Sequence, residues 1–337
     1  MSHPPASDRA TQAGTSPDPD RVPRDPSNPW RGADLLGLRG VSADRLRDLL
    51  ARARARRGHA APSLSGRTIA TVFFEDSTRT RSSFTIAAQR CGAPVVDLSS
   101  KASSANKGES LSDTARVIES MGVAAIVVRT SRAGGAKIAA DAVSCPVINA
   151  GDGAHEHPTQ ALADALALDD AWGSGGTFDF TGKKIVIVGD LVHSRVARSN
   201  AAGLTTLGAQ VVLVGPPSMA PSSLGSALGV RVSHDLDAEL DGADAVMALR
   251  IQLERGAGAM LASSRDYRAA FGVTRDRADA MMPGAIVMHP GPMNRGVEID
   301  ADVADGPHSI VLRQVAAGVA VREAALEAVL GPGEGDA

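Results

Sequence analysis

Ser77, Thr78, Arg79, Thr80 and Arg81 put three hydroxyls and two guanidiniums into five consecutive residues. A hydroxyl donates a single hydrogen bond, and an arginine fork matches the face of a phosphate bidentately. The elements around this stretch decide what it can do. Residues 68–74 before it are β-branched and apolar and predict a buried strand. After it, Phe84, Ala87, Ala88 and Cys91 recur at i, i+3, i+4 and i+7, one face of a helix. The polar residues therefore occupy the turn from strand end to helix start, where free N–H groups and the positive end of the helix dipole collect. Arginine in a first helical turn is opposed by that dipole, so two of them there imply an anion to hold. A small phosphorylated ligand is the reading. A capped helix with a solvated basic first turn is the competing one.

The rest of the chain repeats the pattern. Ser42 predicts the cap of a helix with Leu46, Leu49, Leu50 and Ala53 on one face. Residues 93–98 predict a strand, and residues 99–110 a long polar loop carrying Lys101 and Lys107. That loop has no large apolar anchor and reads from composition equally as a functional or a surface loop. A helix with Leu111, Ala115 and Ile118 follows. Strands are predicted at 123–128, ending at Arg129, and at 146–149, running into Gly151-Asp152-Gly153 and His157-Pro158-Thr159-Gln160. A helix near 160–168 leads to a Gly- and Ser-rich connection at 171–181. Strands restart at 184–188, before Asp190, His193 and Arg195, and continue at 210–214, 245–249 before Arg250, and 285–288 before His289-Pro290-Gly291-Pro292. A last helix, about 310–330, carries Val315, Val319, Leu326 and Val329.

Two blocks of alternating strands and helices imply an α/β chain with two parallel-sheet domains. Ser77, Arg129, His157, Arg195, Arg250 and Pro292 all follow the C-terminal ends of predicted strands, the edge at which open α/β sheets bind ligands. The expected site is the cleft between the domains. The expected organisation is an extension, 1–28, too poor in apolar residues to order; a first domain, 29–168; a second, 169–308; a C-terminal helix, 309–330, packing back on the first domain; and a tail, 331–337.

The 337 residues carry a net charge of −3, which gives no basic footprint for nucleic acid. No apolar run is long enough for a membrane span, and the first residues hold no signal-type apolar stretch, so a cytoplasmic location is expected. Two cysteines, Cys91 and Cys145, build no disulfide framework and read as small buried hydrophobes. No Gly-x-Gly-x-x-Gly follows the strand at 184–188, the 176–184 segment departs from a P-loop, and no ligand spacing suggests a catalytic metal. No cofactor is expected.

Ser-Thr-Arg-Thr-Arg at a strand-to-helix turn resembles the carbamoyl-phosphate signature of the aspartate and ornithine carbamoyltransferases. Gly-Asp-Gly-x-x-x-His-Pro-Thr-Gln at 151–160 resembles the family's second signature, and Arg250-Ile251-Gln252-Leu253-Glu254-Arg255 its Arg-x-Gln-x-Glu-Arg. The likeness spans roughly residues 30–330. It implies that Ser77, Thr78, Arg79, Thr80 and Arg129 hold the phosphate of carbamoyl phosphate. Thr80, Arg129 and His157 would meet the carbonyl oxygen, and Gln160 the carbamoyl nitrogen. Arg195, Arg250 and Gln252 would clamp the two carboxylates of aspartate, with a backbone contact at Gly291 and Pro292. Arg81 is expected to support the turn by ion pairing. Ornithine enzymes carry His-Cys-Leu-Pro where this chain has His289-Pro290-Gly291-Pro292, which places it with the aspartate branch. The alternative is an ornithine or related carbamoyltransferase. Ser103 and Lys107, in Ser-x-x-x-Lys-Gly-Glu, resemble the loop that family members swing into a neighbouring subunit's site, with Lys107 catalytic. The implied assembly is a homotrimer with shared sites, alone or in a larger complex with regulatory chains or dihydroorotase. The implied activity is an early step of pyrimidine biosynthesis.

Overall fold

A computed structural model describes residues 28–59, 61–99, 109–251 and 263–331. Among them run two separate parallel sheets. The first has β1 (Ile69–Phe73), β2 (Val95–Ser99), β3 (Ala125–Thr130) and β4 (Val147–Asp152) in the order β2-β1-β3-β4. The second has β5 (Lys184–Val188), β6 (Gln210–Val214), β7 (Arg231–Ser233), β8 (Ala245–Ala248) and β9 (Ile286–Met288) in the order β7-β6-β5-β8-β9. Every residue of β1, β4 and β8 is buried, as expected where helices cover both faces of a parallel sheet.

The helices of the first sheet are α1 (Ala43–Ala55), α2 (Thr78–Arg90), α3 (Leu111–Glu119), α4 (Gly135–Ala140) and α5 (Pro158–Trp172). Those of the second are α6 (Arg195–Thr206), α7 (Ser222–Leu228), α8 (Leu236–Leu240), α9 (Ser264–Phe271), α10 (Arg275–Ala280) and α11 (Ala301–Ala304). Leu46, Leu49, Leu50 and Ala53 form the buried stripe of α1, and Ser42 Oγ accepts from Arg45 N–H as its cap. Each of those leucines contributes about 1.5–3 kcal/mol by burial. The last helix, α12 (Val311–Leu330), returns from the second sheet to pack on α1, α2 and α5.

Several details differ from the sequence reading. Asn28, grouped with the extension, is buried: its Nδ2 donates to Ala328 O and its Oδ1 accepts from Trp30 N–H. Residues 1–27 lie outside the described residues. Helix α5 runs on to Trp172, through the start of the expected connection, and stops at Gly173 with φ +65°. Of the apolar residues named for α12, Val315 is 53% exposed, whereas Leu326 and Val329 are buried. Helices α4, α7 and α8 and strand β7 had no periodicity to reveal them.

Strand order sets the location of chemistry. In the first sheet the order reverses between β1 and β3, in the second between β5 and β8. A crevice opens at each such point beyond the strand ends. Ser77–Thr80 and Arg129 flank the first crevice, and Arg195 and Arg250 flank the second.

Candidate active site

The two crevices face each other across one cavity of about 480 Å³. Its lining includes Ser77, Thr78, Arg79, Thr80, Arg129, His157, Gln160, Arg195, Arg250, Gly291 and Pro292. Eleven of the fourteen candidate site residues are thus brought together. Ser103, Lys107 and Gln252 lie outside the described residues.

The turn before α2 differs from the other serine-led helix starts. Ser42, Ser110, Ser194 and Ser263 each cap a helix by accepting an N–H in its first turn. Ser77, at the same position before α2, makes no such bond, and the first turn of α2 contains no acid. Its hydroxyl lies at the cavity without a capping role, beside a helix start of the kind that favours an anion. Arg81 turns away to Asp97 at 3.6 Å, and Thr71 Oγ1 donates to that carboxylate at 2.6 Å. Arg79 stays in the cavity. Desolvation, then repulsion from Arg250, pull its pKa below the usual arginine value. A guanidinium from each sheet therefore lines one space, and their mutual repulsion favours an anion bound there.

Glu75 links the sheets beneath them. Arg195 Nη2 donates to Glu75 Oε2 at 2.9 Å, and Arg129 Nε lies 3.4 Å from the same oxygen. Arg195 Nη1 donates to Gly153 O at 3.1 Å. Gly151, at φ +116°, makes room: a Cβ there would sit 2.8 Å from Arg195 Nε. Gly151 thus serves the arginine opposite, whereas Gly153, at φ +51°, makes room for the 131–133 backbone, where a Cβ would sit 2.6 Å from Ala133 N.

His157 is the first residue before α5 and is buried. Burial, then the charges of Arg129, Arg322 and Arg195, hold its pKa well below the usual histidine value. The ring is neutral near pH 7 and keeps one N–H to donate. Its backbone N–H donates to Ser199 Oγ at 2.8 Å, and Ser199 in turn donates to the buried Glu156 carboxylate. Beyond β9, His289 Nδ1 accepts from Gly291 N–H at 2.8 Å and its Nε2 faces Glu298 at 3.3 Å. This bonding shapes the Gly291–Pro292 turn, which lies against Arg79.

Four residues that matter here escaped the sequence reading. Glu75 stood beside the anion turn but had no visible partner. Asp164 is the lone acid in the apolar run 161–168, a signal in itself, since a buried charge needs partners. Gln314 and Arg322 are polar residues within the mostly apolar α12. Arg322 lines the cavity, donates from Nη1 to Ser83 Oγ at 2.9 Å and lies 5.2 Å above the Phe84 ring. Burial pushes it down to about 10.

The aspartate/ornithine carbamoyltransferase carbamoyl-P binding domain matches residues 33–170, and the Asp/Orn binding domain of the same family matches residues 181–329. The chain belongs to the aspartate/ornithine carbamoyltransferase family. The aspartate carbamoyltransferase catalytic subunit of Myxococcus xanthus is 52% identical over 296 residues, covering 87% of this chain and 98% of that protein. That of Gemmatimonas aurantiaca is 47% identical over 306 residues, covering 89% and 94%. Among solved structures, Trypanosoma cruzi aspartate transcarbamoylase with carbamoyl phosphate and aspartate superposes with a TM-score of 0.79 at 30% identity, covering 92% of this chain and all of that one. Ornithine carbamoyltransferase from Pyrococcus furiosus gives 0.78 at 29% identity, covering 90% and 98%. As in its relatives, the fold of this carbamoyltransferase is two parallel-sheet α/β units, and its cavity lies between them.

Proposed function

We propose that this carbamoyltransferase moves the carbamoyl group of carbamoyl phosphate to the amine of L-aspartate, giving N-carbamoyl-L-aspartate and phosphate. The observation that carries this is the pair of guanidiniums, Arg79 and Arg250, opposed across one cavity with the uncapped start of α2 beside them. One anionic group fits at α2 and a second at Arg250. A phosphorylated carbamoyl donor and a dicarboxylate amine supply those two charges.

In this reading Ser77, Thr78, Arg79 and Thr80 bind the phosphate with Arg129. Thr80, Arg129 and the neutral His157 donate to the carbamoyl oxygen, which gains negative charge as the amine attacks. Fixed donors aimed at that oxygen lower the barrier electrostatically. Gln160 holds the carbamoyl nitrogen. Arg195, Arg250 and Gln252 hold the aspartate carboxylates, with backbone contacts at Gly291–Pro292. The departing phosphate accepts the amine proton, so no protein base is needed. For Arg195 to reach a carboxylate ligand, the ligand must compete with Glu75, which couples ligand binding to the contact between the sheets.

Domain boundaries near residues 168 and 308, a cytoplasmic location and a place in pyrimidine synthesis belong to the same reading. So does a homotrimer in which Ser103 and Lys107 complete the neighbouring site. Activity with aspartate, carbamoyl aspartate as product, and none with ornithine, read as citrulline, is the expected outcome. Citrulline formation at comparable rate would reassign the substrate. For the shared site, Lys107→Ala and Arg79→Ala proteins, each nearly inactive, should regain activity when dissociated and reassembled together. Dead hybrids after mass-confirmed exchange would refute it.

A further inference from the structure

Helix α5 is buried along one continuous stretch from Ala161 to Asp169, and Asp164 stands in it with no exposed surface. A carboxylate in such a place is tolerated only when its lone pairs are satisfied. Three amide side chains do this. Gln160 Nε2 donates to Oδ1 at 2.9 Å, Gln314 Nε2 donates to the same oxygen at 2.9 Å, and Asn200 Nδ2 donates to Oδ2 at 2.8 Å. The donors come from α5, α12 and α6, so one carboxylate joins the helix behind the carbamoyl site, the C-terminal helix and the second sheet.

The chemistry of that carboxylate has a directional consequence. Burial pushes the Asp164 pKa up, but the Asn200, Gln314 and Gln160 amides and the charge of Arg322 oppose this and favour the carboxylate. A carboxylate only accepts hydrogen bonds, so each amide turns its NH₂ toward Asp164 and its oxygen away. For Gln314 the result is visible: its Oε1 accepts from His289 N–H at 3.0 Å, at the start of the His289–Pro292 segment. Gln160 lines the cavity, and its oxygen is the group left to face it. A carbamoyl NH₂ has hydrogens to donate and needs an acceptor of this kind. A reversed Gln160 amide would set donor against donor.

We propose that Asp164 is a positioning residue of this carbamoyltransferase: it fixes the Gln160 amide with its oxygen toward the carbamoyl nitrogen and, through Gln314, ties the His289–Pro292 segment to the same carboxylate. The first part rests on the reading of Gln160 as the carbamoyl-nitrogen contact. Asp164 touches no substrate. It acts by selecting one of two nearly isosteric amide orientations, which packing alone does not distinguish. Three donors converge on it, two on Oδ1 and one on Oδ2, so an asparagine that keeps its oxygen at the Oδ1 position still holds Gln160 and Gln314. Only Asn200 must then reverse, whereas alanine removes every acceptor and leaves the Gln160 amide undirected.

The test is a double-mutant cycle on kcat/KM for carbamoyl phosphate, with Asp164→Ala, Gln160→Ala and the pair. Asp164→Ala alone should lower kcat/KM about 10- to 100-fold, the scale of one misdirected polar contact. In the Gln160→Ala background the same change should cost less than about threefold, because the amide it orients is gone. Gln314→Leu should leave the carbamoyl phosphate KM near the parent value and raise the aspartate KM, a split that general loosening of the core would not give. Full multiplication of the Asp164 and Gln160 effects would overturn the positioning role while leaving the Gln160 contact standing. A Gln160→Ala enzyme with unchanged kinetics would sink the Gln160 contact and the positioning role with it. Should the Ala variant not fold, Asp164→Leu, which fills the space without an acceptor, enters the same cycle with the same two outcomes.

Discussion

Replacing Arg79 by alanine separates binding from stability. In the proposed complex its guanidinium makes two charge-assisted bonds to a phosphate, each contributing about 1.5–3 kcal/mol. Losing both costs about 3–6 kcal/mol, or roughly 10²–10⁴ in kcat/KM. The cavity is open, Arg79 is exposed within it, and Ser77, Thr78, Thr80 and Arg129 remain, so the lower half of that range applies, about 10²–10³. Folding stability should behave oppositely. Arg79 is partly desolvated and repelled by Arg250, and no carboxylate of the described residues relieves it. Its removal should leave Tm unchanged or slightly raised. The assay is initial-rate formation of carbamoyl aspartate over both substrates, with thermal unfolding in the presence and absence of inorganic phosphate. Wild type should be stabilised by phosphate and the variant much less so. A kcat/KM loss under tenfold would refute the phosphate contact. A Tm several degrees lower would show that Arg79 supports the fold instead.

Arg250→Ala should raise the aspartate KM by at least an order of magnitude and spare phosphate binding by calorimetry; equal loss of both ligands would contradict the division of anions between the sheets. Glu75→Gln leaves Arg129 and Arg195 without their shared, largely buried carboxylate, a loss of about 3–5 kcal/mol that should appear in urea unfolding and be partly recovered by phosphate. His157 favours its neutral form in the native site, so below about pH 6.5 the unfolded chain takes up a proton that the folded one refuses. Its contribution to stability is therefore present above that pH and is lost as pH falls; His157→Gln should flatten this part of the stability profile, and an unchanged slope would count against the buried neutral ring. Burial pushes Cys91 up to about 11 and Cys145 to about 12, so neither thiol should react with Ellman's reagent at pH 8 within minutes until the protein is unfolded.

Local signals carried most of the fold and much of the candidate site in the sequence. The strand before Ser77, the helix after it and the stripe of Leu46, Leu49, Leu50 and Ala53 depend on neighbours within two turns, and so appear as periodicity. The strand-end position of Arg129, Arg195 and Arg250 followed from the same reading, because a polar group just past an apolar run has nowhere else to go. Short elements such as α8, five residues long, and β7, three residues long, offer too few positions for a period to register. Helix α12 is mostly apolar, so its sequence does not say which side is covered; only its seat on α1, α2 and α5 leaves Val315 at the cavity. Tertiary structure alone decided partnerships between distant residues. Glu75 meets Arg195 120 positions later, and Asp164 collects amides 36 and 150 positions away. A charge in the sequence announces that it needs a partner, but which partner it finds depends on how the two sheets and the returning helix pack.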